Sequence, residues 1–113
     1  MLDLRVTFDP LNGSRVRSVE VPVATFLVLR QLPGVTRDQY AAAQRAAIEA
    51  ARQSSADGSA VRYLGGFFMP GKDRAMCVFS AESLADVATV NERAGVPFTE
   101  VVEALELRPG DAE

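Results

Sequence analysis

The chain has 113 residues, 48% of them hydrophobic and 24% charged, with a formal net charge of −3. That size suits one domain, no window approaches the ~18 apolar residues of a membrane span, and the N-terminus lacks the basic, apolar and small-residue order of a secretion signal. A cytoplasmic protein without a membrane partner is expected, and because arginine and lysine are scattered rather than gathered into a basic stripe, nucleic acid is not expected as a partner either.

In chain order, Leu2, Leu4, Val6 and Phe8 alternate with polar residues, and Asn12-Gly13 is a turn signal ahead of Val16. Residues 1–23 therefore read as an N-terminal extension compatible with an extra hairpin. Ala24 to Leu32 is rich in β-branched and large apolar residues and stops at Pro33-Gly34, the pattern of a buried strand. Thr36 and Gln39 have the spacing of a capping box. The helix that follows carries Tyr40, Ala43, Ala47, Ile48 and Ala51 on a slim, alanine-rich face and runs into a polar loop from Ser54 to Ser59. Val61 to Met69 and Ala75 to Phe79 read as a strand hairpin joined by Pro70-Gly71-Lys72-Asp73-Arg74. Ser80 is placed to cap a second helix with the stripe Leu84, Val87, Ala88 and Ala94, which Gly95 and Pro97 end. Thr99 to Leu107 forms a last strand, and residues 109–113 a short acidic tail.

Residues 24–108 thus follow the order β-α-β-β-α-β, an α+β, ferredoxin-like arrangement in which both helices cover one face of a four-stranded antiparallel sheet. Large apolar residues occur at both parities along the strands, so the second face also needs a cover. Strand alternation assigns Phe26, Val28, Tyr63, Phe67, Met69, Met76 and Val78 to that second face, as the surface that binds a hydrophobic small molecule and pairs with a second copy. A homodimer is the expected assembly.

The segments Phe26-Leu27-Val28-Leu29-Arg30, Leu32-Pro33-Gly34-Val35-Thr36, Met76-Cys77-Val78-Phe79-Ser80-Ala81 and Arg93-Ala94-Gly95-Val96-Pro97 resemble the small actinobacterial domain of unknown function family 4242. That resemblance, which spans roughly residues 24–107, implies a ferredoxin-like fold, membership of the dimeric α/β-barrel proteins, and kinship with nickel-binding proteins. It also implies Trp and His where this chain has Tyr63 and Gly65, and a further His where it has Val90.

The chain contains no histidine, and Cys77 is its single cysteine, set among Ala75, Met76, Val78 and Phe79 in a predicted strand. No internal disulfide can form, and Cys77 is read as a core residue. Nickel and zinc favour imidazole and thiolate ligands, so no metal and no cofactor is expected, although a metal-binding protein like the nickel-binding relatives stays among the alternatives. Serine-histidine and cysteine-histidine nucleophiles are excluded, and Gly65-Gly66 and Gly71-Lys72 match no phosphate-cradling motif. By analogy with other dimeric α/β-barrel proteins, the enzymatic alternative is a cofactor-independent cyclase, isomerase or oxygenase acting on a hydrophobic, polyketide-like substrate. Its candidate catalytic residues are Glu103, Tyr63 and Arg30, with Arg30 a partner for the Glu103 carboxylate.

Overall fold

The structure is a computed structural model and describes residues 2–8 and 15–112. Its strands are β1 (Leu2–Phe8), β2 (Arg15–Pro22), β3 (Ala24–Gln31), β4 (Val61–Met69), β5 (Arg74–Ala81) and β6 (Glu100–Ala104), and its helices are α1 (Arg37–Ala56) and α2 (Leu84–Ala94). From β3 onward the order is β-α-β-β-α-β, with an antiparallel sheet arranged β4-β5-β3-β6, the ferredoxin-like fold. β1 and β2 pair with each other in a separate two-stranded sheet. The Asn12-Gly13 turn lies outside the described residues.

α1 begins as expected: the Thr36 hydroxyl accepts from the Gln39 amide at 3.2 Å, and the Gln39 side chain accepts from the Thr36 amide at 2.9 Å. The helix runs two residues past Ser54, which the composition had assigned to a loop. The Ser54 and Ser55 hydroxyls donate onward to the Ser59 and Val61 carbonyls, so these residues tie the helix end to the start of β4 instead of breaking it. α2 is capped by Ser83, whose hydroxyl accepts from the Asp86 amide at 3.1 Å. Ser80, the expected cap, is a buried residue of β5, because that strand continues to Ala81. Gly95 closes α2 in the left-handed conformation at φ 71°.

Tyr40, Ala47, Ala50 and Ala51 of α1 and Val87 and Val90 of α2 pack with Phe26, Val28, Val61, Ala75, Cys77 and Phe79 of the sheet to form the core. Small alanine side chains let α1 lie close to the strands. Among the described residues this core lies on the helix side of the sheet.

Candidate functional site

Register decides which strand residues face away from the helices. Phe26 stands opposite Phe79 and Val28 opposite Cys77, all within the helix-covered core, whereas Leu27 stands opposite Val78 and Leu29 opposite Met76 on the other face. In β4 the pairing shifts between Tyr63 and Gly65, so that Tyr63 faces Phe79 on the core side while Phe67 pairs with Met76 and Met69 with Arg74 on the open side. Gly65 takes up this bulge at φ 148°, backbone that a residue with a Cβ rarely adopts. Of the seven residues assigned to the second face by alternation, Phe67, Met69, Met76 and Val78 lie there. Phe26, Val28 and Tyr63 do not: the first two sit at the opposite parity of β3, and the bulge reverses the parity of Tyr63.

The open face holds a groove of about 520 Å³, within the range of small-molecule sites. Its floor is Leu27, Met76 and Val78, and its rim is Leu64, Phe67 and Leu105. Phe67 is 61% and Leu105 83% exposed. Leu27, Leu64 and Leu105 were not singled out by the sequence, since a strand apolar at both parities does not reveal which side the helices take.

Behind the sheet lies a polar cluster. The Tyr40 hydroxyl is 3.6 Å from the Cys77 sulfur, the Tyr63 hydroxyl donates to the same sulfur at 3.9 Å, and the Gln44 amide donates to the Tyr63 oxygen at 2.7 Å. Burial pushes both phenols above the ordinary tyrosine range, and the nearby Cys77 adds to the shift in each. Gly66 is required here for space, because a Cβ would fall 2.8 Å from the Met76 carbonyl oxygen and 3.0 Å from the Tyr63 hydroxyl.

Arg30 is 3% exposed. Its guanidinium donates to Asn91 Oδ1 and to the Val96 and Pro97 carbonyls at 3.3 and 3.2 Å, while Asn91 Nδ2 donates to the Val87 carbonyl at 2.8 Å. A cation at the C-terminal end of α2 is favoured by the helix dipole as well as by these oxygens. Glu103 is exposed on the edge strand β6, opposite Phe26. The structure therefore brings Tyr63 to Cys77 and Arg30 to Asn91, and it does not join Arg30, Tyr63 and Glu103 at one centre. Asn91 was not singled out by the sequence; its visible signal was a polar residue in the helix that carries the stripe Leu84, Val87, Ala88 and Ala94.

A family model described as nickel responsive protein SCO4226-like matches residues 26–104. The chain belongs to the SCO4226-like family. Among solved structures, the crystal structure of SCO4226 from Streptomyces coelicolor A3(2) is similar with a TM-score of 0.65 and 23% sequence identity, over 75% of this chain and 100% of that one. That likeness supports the fold. No curated protein matches the chain.

The family description raises nickel, and the residues present do not fit it. This member of the SCO4226-like family has no histidine. Its Cys77 thiol is buried beneath two tyrosine hydroxyls, and among the described residues no three cysteine, aspartate or glutamate side chains gather. Nickel sites draw on imidazole and other borderline donors, whereas the groove on the open face is lined mainly by apolar side chains, with Thr25 and Glu106 its polar members. Among the described residues no helix is long and apolar enough to cross a membrane.

Proposed function

We propose that this chain binds a hydrophobic small molecule in the groove on the open face of its sheet, with a second copy packed over that face to make a dimeric α/β barrel. The observation that carries the reading is the apolar groove over Leu27, Met76 and Val78, on the side of the sheet that no helix covers. Covering several hundred Å² of such a face at about 25 cal/mol per Å² contributes on the order of 10 kcal/mol before association costs. A closed two-fold pair is the simplest assembly that hides identical faces from water.

The enzymatic reading has less support, because Glu103, Tyr63 and Arg30 lie apart and two of them are committed to neighbours within the fold. Titration with the apolar fluorophore anilinonaphthalene sulfonate tests the binding reading. Saturable enhancement is expected, and Val78→Glu in the groove floor should weaken it at least tenfold while far-ultraviolet circular dichroism stays unchanged. Non-saturating enhancement, or equal affinity in the variant, would contradict it.

A further inference from the structure

We infer that the ligand of the groove is an amphipathic carboxylate of the fatty-acid class, with its apolar chain over Leu27, Met76 and Val78 and its head group held by Arg74 and Gln31. This rests on the groove reading above and names the class of molecule that the groove takes.

The register of the sheet builds the head-group end. Arg74 opens β5 directly opposite Gln31 of β3 and Met69 of β4, so these three side chains form one row on the open face. The next row inward is Leu29, Met76 and Phe67, and it is apolar throughout. A cavity of about 290 Å³ lies over the outer row, bordered by Gln31, Met69 and Arg74 and also by Met76. Met76 is likewise part of the larger apolar groove, so the two spaces adjoin across one side chain. Arg74, Met76 and Val78 take alternate positions of β5, which sets the cation about 13 Å along the strand from Val78 at ~3.3 Å of rise per residue. A medium-length acyl chain, extended, covers that distance.

The charge at that end is available to a ligand. Arg74 is exposed and, among the described residues, has no carboxylate partner. Its sequence neighbour Asp73 accepts from the Gly34 amide at 3.1 Å, and Glu100 stands opposite Leu29 in β6, two strands from Arg74 and at least about 10 Å away by strand spacing. Arg30 also borders the cavity, but its guanidinium is taken up by Asn91 and the Val96 and Pro97 carbonyls. The Thr99 hydroxyl donates to the Leu29 carbonyl. What remains is the Arg74 fork, whose paired N–H groups match the two oxygens of a carboxylate, beside the Gln31 amide as a further donor. At the other end of the groove stands Glu106, which Arg108 approaches at 3.8 Å. That acid is partnered and the arginine is not, so the pair of ends favours an anionic ligand with its head at Arg74.

Displacement of the uncharged fluorophore N-phenylnaphthylamine from the full chain, by decanoate and by decanol, tests this in the native protein and in Arg74→Gln. The substitution is at an exposed position, and circular dichroism checks that the fold is kept. Loss of a charge-assisted head-group contact should weaken decanoate about tenfold or more in the variant, while decanol and the fluorophore stay within about twofold of their native affinities. Unchanged decanoate affinity in Arg74→Gln, with the fluorophore still bound, overturns the carboxylate and leaves the apolar groove standing. An equal loss of decanoate, decanol and fluorophore assigns Arg74 to the upkeep of the face or to its contact with a second copy, and also overturns the carboxylate. A native chain that binds neither the fluorophore nor either displacer overturns the groove reading together with this one.

Discussion

Two tyrosines and one cysteine make the least expected local chemistry in the molecule. Tyr40 and Tyr63 bring their hydroxyls to the Cys77 sulfur from α1 and β4, and burial raises the proton affinity of both phenols above their ordinary value of 10.0. For an acid whose folded-state value is raised, the native state holds the proton more tightly than the unfolded chain does. The resulting stability is fully present below the unfolded value and is lost as pH climbs above it. The urea midpoint should therefore hold steady from roughly pH 7 to 9 and fall beyond about 10, and Tyr63→Phe should reduce the slope of that fall. An alkaline limb that is flat in the native chain, or equally steep in the variant, would contradict the assignment. Tyr63 was legible in sequence as an aromatic residue on a strand, but its partners Gln44 and Cys77 come from other elements and leave no local signature.

At the scale of elements, Arg30 joins β3 to the end of α2 and to the segment that leads into β6. Replacing it with Met keeps the apolar stem but leaves Asn91 Oδ1 and the Val96 and Pro97 carbonyls without their donor, a loss of roughly 3 kcal/mol. Chemical denaturation measures it, and a change below about 0.5 kcal/mol, typical of a surface substitution, would mean that the guanidinium is not the clamp described. The strands and α1 were readable because hydrophobic runs, a capping box and Pro-Gly or Gly-x-Pro stops coincide there. The sides of the strands were not. In β3 both parities are apolar, with Phe26 and Val28 on one side and Leu27 and Leu29 on the other, so alternation locates the strand without orienting it. In β4 the bulge at Gly65 moves Tyr63 and Phe67 to opposite faces, and two glycines in a row signal a bulge only weakly. Ser80 read as the cap of α2 by composition, but β5 continues through it to Ala81, and the cap falls at Ser83.

For the molecule as a whole, two helices cover one side of a four-stranded sheet, and the chain carries apolar residues enough for two sides. Membership of the SCO4226-like family accounts for the fold, while the donor set of this member does not suit nickel, and an apolar ligand is our proposal. Everything proposed about function depends on what lies over Leu27, Leu64, Phe67, Met76 and Val78. Light scattering coupled to size exclusion, on the full chain at micromolar concentration, addresses this most directly. The account predicts a mass near twice the 12.1 kDa of one chain, and a single species of 12.1 kDa would contradict it.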